Sequence, residues 1–501
     1  MPLQNLYEKL IATLHFHADL AAALHLLEWD QETFLPAGAL ESRARQIGVL
    51  AGLLHEQQTA PAFLDLVDRL ASDLPQLEPG AAVDVRETKW RLDRERRLDA
   101  ALVRERSALH AEGRGVWVIA RRDNDFAALA PLLARIVETE RRVAAAIDPE
   151  RDAYDVLLEE YEPGASAAML HGLFTSLRDG LLPLVERLRG RLAARRLPAA
   201  ALCGAFALDA QRTFNRLVAE RLGFDFQRGR LDEAVHPFTM TIGTDVRLTT
   251  RYDAHDLRYG LYATLHEAGH GLYEQGLDAS AWGTPRGTAC SLGVHESQSR
   301  LWENQVGRSE GFWRHLLPAA RATFPDLRDA SFESIVVAVN DARPSLIRTE
   351  ADEITYNLHI IMRFELERAL LRGDLGVNDL PHAWRECMQR TLGVVPDNDR
   401  DGVLQDVHWA GGALGYFPTY ALGSLFAAQL MSAAEAALGP LDSLLAAGDF
   451  PVLLGWLRDH VHRCGQTYRS FDLVTAATGT PPSPELLLRH LEHKIAFLES
   501  V

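Results

Sequence analysis

The chain has 501 residues, 47% of them hydrophobic, and its 69 acidic residues outnumber its 52 basic ones to give a net charge of −17. This length supports a large buried core, and the negative charge argues against nucleic acid or an anionic membrane as a partner. Four scattered cysteines fit neither a disulfide scaffold nor a thiolate zinc site. Because the first residues also lack the pattern of a secretion signal, we expect a cytoplasmic protein.

Hydrophobic residues recur at helical spacing over most of the chain, which predicts a mainly helical protein. The predicted helical runs cover about residues 6–70, 84–147, 166–196, 255–275, 295–320, 345–373, 424–447 and 485–499. The stretches rich in proline and glycine between them are too short for linkers. We therefore expect a single domain over residues 1–501.

One segment departs from the helical pattern. Residues 238–252 are dense in β-branched and aromatic residues and contain the turn signal Gly243-Thr244-Asp245. The segment predicts a small hairpin or sheet directly before the helix at 255–275. A strand edge beside a metal centre could hold an extended peptide by main-chain hydrogen bonds, and a purely structural hairpin is the alternative.

The helix at 255–275 contains His266-Glu267-Ala268-Gly269-His270, a His-Glu-x-x-His motif. Histidines four residues apart on a helix project from one face, so both imidazoles can reach a single metal ion while the glutamate reaches its bound water. This pattern indicates a zinc hydrolase with His266 and His270 as ligands and Glu267 as general base. A buried helix with two hydrogen-bonded histidines is the alternative.

A catalytic zinc site usually needs a third protein ligand. The segment Val294–Arg300 offers Glu296, which would complete a site of two histidines and one glutamate, and His295 is the competing candidate. Spacing alone does not decide between them. Glu303 and Asp352 are candidate acceptors for the second nitrogens of the histidine ligands, or else salt-bridge partners without that role.

The segment from Trp409 to Ala434 has no charged residue and is long enough to span a bilayer. Its glycines and Pro418 break helical continuity, so we expect a buried, partly irregular segment that lines a cleft. Tyr416, Tyr420 and the preceding His408 are candidate donors to the oxyanion that forms in a zinc hydrolase. Their alternative role is packing in the core.

The chain resembles the carboxypeptidase Taq family of thermostable metallocarboxypeptidases through several motifs in the family's order. In this sequence the motifs are His236-Pro237-Phe238, Asp245-Val-Arg247-Leu-Thr249, His266 to His270, His295 to Gln298, Ile347-Arg348-Thr-Glu-Ala351-Asp352 and Gly402-Val-Leu-Gln405-Asp406-Val-His408-Trp409. Segments near Trp29 and Tyr154 resemble further signatures of the family. The similarity extends from about residue 6 to the C-terminal helix.

The resemblance implies a large, elongated helical metallopeptidase fold, like that of neurolysin or angiotensin-converting enzyme, with a deep groove and a homodimeric assembly. It implies removal of C-terminal amino acids from peptides with broad preference, and it assigns Zn²⁺, with Co²⁺ or Mn²⁺ as substitutes, to His266, His270 and Glu296. Glu267 would be the catalytic glutamate, assisted by His408 and Tyr420. An oligoendopeptidase or dipeptidase on the same scaffold, or a peptide-binding protein without activity, are the alternatives.

A carboxypeptidase must recognise a free α-carboxylate, which the planar fork of an arginine binds well. We expect Arg348 to do this, with Arg247 and Arg300 as alternatives, and we assign His236 and Tyr416 to substrate binding as well. An ion pair with acidic residues near Arg348 in the sequence would explain this arginine without a substrate.

Overall fold

The structure, a computed structural model, describes residues 2–194 and 201–500. The predominance of helices is confirmed, although the long predicted runs are divided into several helices. The end of the predicted run at 166–196 lies outside the described residues. The first eight helices are Leu3–Thr33 (α1), Leu40–Gln58 (α2), Pro61–Ser72 (α3), Pro79–Glu95 (α4), Ala100–Asp123 (α5), Phe126–Ile147 (α6), Ala153–Leu158 (α7) and Ala167–Ala194 (α8).

The middle of the chain contains the strands and the helix with the His-Glu-x-x-His motif. Its elements are Leu208–Leu222 (α9), Gly229–Glu233 (β1), Thr239–Ile242 (β2), Asp245–Thr250 (β3), Leu257–Glu274 (α10), Leu292–Arg300 (α11), Glu310–Thr323 (α12) and Phe332–Asn340 (α13). The remaining helices are Tyr356–Arg372 (α14), Leu380–Leu392 (α15), Pro418–Leu438 (α16), Leu441–Ala447 (α17), Phe450–His460 (α18), Ser470–Thr478 (α19) and Glu485–Ser500 (α20).

The predicted hairpin is confirmed and belongs to a three-stranded sheet of order β1-β3-β2. β2 and β3 are antiparallel, with Thr239 opposite Leu248, and Gly243 between them has a φ of +65° that suits the tight turn. β1 pairs in parallel with β3. The sequence did not predict β1, because its residues Gly-Arg-Leu-Asp-Glu carry charges where a strand usually has β-branched residues.

The main hydrophobic core extends from Leu102 to Ile495 in sequence and includes the buried faces of α10, α14 and α16. A smaller cluster, with Leu10, Val67 and Leu70 fully buried, joins α1, α3 and α4. α1 and α16 are both long and apolar enough to cross a membrane by length and composition. For α16, 61% of the apolar window is buried inside the protein, against 11% for α1. α16 is therefore a core helix.

The uncharged segment Trp409–Ala434 is buried, as expected, but only its first part is irregular. Gly412 and Gly415 adopt positive φ values of +75° and +87° in the turns before α16. Gly423, which we expected to interrupt a helix, lies inside the continuous helix α16. Packing of α16 in the core outweighs the modest helix penalty of one glycine.

Candidate active site

Helix α10 carries the two histidines of the motif on one face. The Asp256 carboxylate caps its first turn by accepting a hydrogen bond of 2.9 Å from the backbone N–H of Arg258. The rings of His266 and His270 lie one helical turn apart, with 4.9 Å between their centroids. Both imidazoles therefore project from the same face of α10.

Glu296, on helix α11, completes a group of three possible metal ligands. Its Oε2 atom lies 3.6 Å from Nε2 of His266 and 3.5 Å from Nε2 of His270. One ligand atom from each residue lies within 4.8 Å of the other two. Two imidazole nitrogens and one carboxylate oxygen form a common donor set for catalytic zinc, so the three side chains fit a divalent metal ion.

Two glycines allow the neighbouring helices to approach these ligands. A Cβ atom on Gly269 of α10 would lie 2.5 Å from the carbonyl oxygen of Gln298 on α11. A Cβ atom on Gly423 of α16 would lie 2.4 Å from Cγ of Glu296. Since a methyl group at either position would push the helices apart, the close packing of α10, α11 and α16 is what brings Glu296 to the histidines.

His295, the alternative third ligand, is in contact with other groups. Its Nε2 atom lies 2.8 Å from Oε1 of Glu274, and its Nδ1 atom lies 2.6 Å from Nδ1 of His270. Nδ1 is on the opposite side of the His270 ring from the nitrogen that approaches Glu296. Of the two candidates, the structure therefore brings Glu296, and not His295, to the two Nε2 atoms.

Glu303 contacts the second nitrogen of His266. A π-helical turn at Leu301–Val306 follows α11 and places Oε2 of Glu303 2.9 Å from Nδ1 of His266. Burial disfavours the charged carboxylate, but Arg300 and His266 outweigh burial and lower the pKa of Glu303 to about 2. An ionised Glu303 thus orients the His266 ring. Asp352, the other candidate acceptor, instead accepts hydrogen bonds from the residues just before α14.

Glu267 is buried, with 6% exposure, between the sheet and the two histidines. Its Oε2 atom accepts a hydrogen bond of 2.6 Å from the hydroxyl of Thr239 on β2. Burial raises the pKa of Glu267, and the charge of His266 opposes this increase. A carboxyl group with a raised pKa is suited to accept and release a proton near neutral pH.

The three candidate oxyanion donors, His408, Tyr416 and Tyr420, are close together near the start of α16. His408 Nε2 lies 3.3 Å from the Tyr420 hydroxyl. The Tyr416 ring centroid lies 5.4 Å from that of Tyr420 and 5.3 Å from that of His408. Tyr420 precedes Gly423 by three residues on α16, so it lies on the helix face that packs against Glu296.

Burial sets the protonation states of this group. It lowers the pKa of His408 to about 4, although the charge of Asp406 opposes the decrease, so the ring is neutral near pH 7. Burial also raises the pKa of Tyr420 well above its usual value, so its hydroxyl stays protonated. A neutral imidazole and a protonated phenol are both hydrogen-bond donors.

Arg348 is buried, with 7% exposure, in a short turn at Arg348–Glu350 that precedes α14. It was expected inside a helical run, and that expectation was wrong. Its Nε donates to Oδ1 of Asp406 at 2.9 Å, and its guanidinium carbon lies 4.9 Å from the centroid of the Tyr420 ring. Arg348 therefore forms an ion pair, as the alternative to substrate binding predicted. Its partner Asp406 lies in a distant segment of the chain and is not one of the acidic residues near Arg348 in the sequence.

The two alternative arginines also have carboxylate partners. Arg300 donates from Nε to Oε1 of Glu296 at 2.7 Å and from Nη1 to Glu303 at 3.2 Å. Arg247 pairs with Asp245 at 2.7 Å, with its guanidinium carbon 4.2 Å from the Trp29 ring. Arg300 therefore belongs to the surroundings of the possible metal ligands, whereas Arg247 joins the sheet to α1.

His236 is exposed in the connection between β1 and β2, three residues before Thr239. Two cavities lie beside the end of α10, with volumes of about 630 Å³ and 250 Å³. Glu274 and Thr288 line both cavities, and His295 and Tyr161 also line the larger one. The two cavities share part of their walls beside the C-terminal end of α10, and the deep groove expected from the family stays a prediction.

Sequence reasoning missed two residues of this site. Thr239 holds Glu267, and Asp406 joins Arg348 to Arg363, whose Nε donates to Oδ2 of Asp406 at 2.7 Å. Thr239 was part of the predicted hairpin and Asp406 was part of a family motif. Neither position alone reveals its partner, because each contact joins segments that are distant in sequence.

The chain matches known proteins over nearly its whole length. The model of the family described as carboxypeptidase Taq (M32) metallopeptidase matches residues 9–495. Thermostable carboxypeptidase 1 of Thermus thermophilus is 44% identical, with 98% of each chain covered, and carboxypeptidase 1 of Bacillus subtilis is 36% identical, with 95% of each covered. The crystal structure of the M32 carboxypeptidase from Deinococcus radiodurans R1 has a TM-score of 0.96 at 41% identity, covering 99% of this chain and 100% of the other.

Proposed function

Since the chain belongs to the carboxypeptidase Taq (M32) family of metallopeptidases, we propose that His266, His270 and Glu296 bind its catalytic metal ion and that this ion is zinc. Family membership makes the protein a metal-dependent carboxypeptidase. The observation that supports the ligand assignment is the meeting of two Nε2 atoms and one carboxylate oxygen within 4.8 Å. The same donors accept Co²⁺ or Mn²⁺.

Glu267 is the general base in this proposal. The bound ion would supply Lewis acidity and lower the pKa of water at the site. Glu267 takes the proton of the attacking water and delivers it to the leaving amine. The hydrogen bond from Thr239 holds one carboxylate oxygen, which leaves the other free for the proton.

Tyr420 and His408 are the donors that stabilise the oxyanion. Both carry a hydrogen at neutral pH, and their side chains are only 3.3 Å apart. Donors fixed in a buried site stabilise developing negative charge without reorganisation during the reaction. Tyr416, packed against both rings, contributes to binding of the peptide.

Arg348 is the proposed partner of the substrate's C-terminal carboxylate, with His236, exposed in the connection between β1 and β2, as a further contact with the substrate. Arg348 lies beside Tyr420, and its pair with Asp406 uses Nε and Nη2. Its Nη1 atom is 3.4 Å from the Tyr356 hydroxyl and retains donor capacity. Asp406 then holds the guanidinium group in place for the incoming carboxylate.

The remaining proposals concern the whole protein. We propose peptide substrates of broad sequence, a cytoplasmic location, one domain over residues 1–501 and a homodimer, with no nucleic acid or membrane partner. The long core from Leu102 to Ile495 supports a single domain. Phe16 and Leu26 of α1 are 48% and 39% exposed, and Val49 of α2 is 71% exposed, which supports contact with a second copy. Light scattering of the purified protein would measure the assembly.

One peptide experiment tests the reaction. The metal-loaded enzyme is incubated with an unmodified peptide and with its C-terminally amidated form, each with and without a chelator, and products are read by mass spectrometry. We expect stepwise loss of C-terminal residues from the free acid, little reaction with the amide, and no reaction with chelator. Internal cuts, or equal cleavage of both peptides, would instead indicate an oligoendopeptidase.

A further inference from the structure

A chain of side-chain contacts leads from His270 to the wall of the cavities. Nδ1 of His270 lies 2.6 Å from Nδ1 of His295, and Nε2 of His295 lies 2.8 Å from Oε1 of Glu274. His270 and Glu274 are one turn apart on α10, and His295 is on α11. Both His295 and Glu274 line the larger cavity. The contacts therefore join the proposed metal ligand His270 to the wall of this cavity.

The short distance between the two rings determines where the hydrogens lie. Two nitrogens at 2.6 Å need one hydrogen between them, because two lone pairs or two hydrogens would repel. A His270 that binds metal through Nε2 carries its hydrogen on Nδ1, so Nδ1 of His295 is the acceptor. With Nδ1 of His295 as the acceptor, the hydrogen of this ring lies on Nε2, where the Glu274 carboxylate accepts it. Each donor in the chain thus has an acceptor.

We infer that His295 and Glu274 are positioning residues for His270, and the inference rests on the metal site proposed above. Glu303 contacts His266 directly, whereas Glu274 acts on His270 through the imidazole of His295. The backbone carbonyl of His295, 3.1 Å from Nδ1 of His270, adds a second acceptor from the same residue. Together these groups hold the His270 ring in the tautomer whose Nε2 lone pair faces the metal.

Two substitutions at residue 295 separate hydrogen bonding from packing. His295→Leu removes the acceptor, whereas His295→Asn retains an amide oxygen near the position of Nδ1. The apo proteins are titrated with Zn²⁺ against a chromophoric chelator, and visible spectra of their Co²⁺ forms are compared. We expect His295→Leu to weaken Zn²⁺ binding by about tenfold to a hundredfold and alter the Co²⁺ spectrum, and His295→Asn to stay within about threefold of the parent.

Substitutions of Glu274 test the contact between Glu274 and His295, and they can be measured even if His295→Leu does not fold. Glu274→Leu should weaken Zn²⁺ binding by about tenfold, whereas Glu274→Gln, which keeps an acceptor oxygen, should change it little. His490→Asn is the matched control. His490 lies on the C-terminal helix α20 and forms another histidine–glutamate pair, with its Nε2 atom 3.0 Å from Oε1 of Glu353. It should leave Zn²⁺ affinity unchanged.

The outcomes separate this inference from the proposed function. A parent protein that binds no Zn²⁺ overturns the metal site itself. If the parent binds Zn²⁺ and His295→Leu binds it equally well, only the positioning role is wrong. Equal weakening by His295→Leu and His295→Asn would assign the effect to packing and overturn the role as acceptor.

Discussion

Two of the proposed ligands, His266 and His270, are neighbours of the base Glu267 on α10, yet ligands and base have different roles in the reaction. His266 and His270 present Nε2 atoms to Glu296, whereas Glu267 is held by Thr239 on the other side. We expect His266→Ala, His270→Ala and Glu296→Ala each to lose bound metal, and Glu267→Gln to keep the metal but lose turnover. Metal analysis beside steady-state kinetics measures both. Full metal retention in Glu296→Ala would move the third ligand elsewhere.

Arg348 should affect recognition of the carboxylate but not metal binding. Arg348→Ala should lower the rate on free-acid peptides by about a hundredfold, which corresponds to a lost charge-assisted contact of about 3 kcal/mol. Reaction with amidated peptides and metal content should change little. Asp406 keeps Arg363 as a partner, so the variant should fold. A uniform decrease for both peptides would assign Arg348 to structure alone.

Acid should inactivate the enzyme through Glu267 as well as through the ligands. Because burial raises the pKa of Glu267, its proton-accepting form is present above that raised pKa and is lost as the pH falls through it. Protonation of the histidine ligands releases metal at lower pH. Activity should thus fall below about pH 6, with metal loss accompanying the deeper part. An undiminished rate near pH 4 would argue against this site.

The helices around the site depend on close approach at glycines. Gly423→Ala should push α16 away from Glu296, lower the free energy of unfolding by about 1–3 kcal/mol and weaken metal binding. Gly455→Ala in α18 is the matched control, because a Cβ atom there meets nothing within 4 Å. It should stabilise the protein by about 0.5–1 kcal/mol. Chemical denaturation and metal titration of both variants measure these effects. Equal changes in unfolding free energy and metal affinity in the two variants would contradict a role for close packing at Gly423.

Metal binding should stabilise the whole molecule, since its ligands come from α10 and α11, which pack against each other, and α11 also packs against the core helix α16. Free metal at a thousandfold its Kd adds about 4 kcal/mol to the free energy of unfolding. Chelation should therefore lower the Tm of the parent and of Glu267→Gln, which keeps the ligands, but not that of His266→Ala. A Tm of the parent that does not respond to metal would show that the ion does not bind the folded state.

The helices, and the position of His266 and His270 on one helix face, follow from local spacing, so the sequence predicted both. The same holds for the hairpin β2-β3, whose pairing follows from a short turn at Gly243. β1 was missed because it pairs with β3 across an intervening strand and connection, and its own composition is not typical of a strand. Gly423 was misjudged because helix propensity is weaker than burial in the core.

By itself the sequence determined the helical class, the metal-binding motif and, through ordered motifs, the family. Spacing alone left both Glu296 and His295 as candidates, and only the family resemblance favoured Glu296. Adjacent residues on a helix point about 100° apart, so packing decides which one faces α10. Tertiary structure also decided that Glu303 holds His266 and that Asp406 holds Arg348. These contacts join separate segments through side-chain directions, which local spacing does not determine.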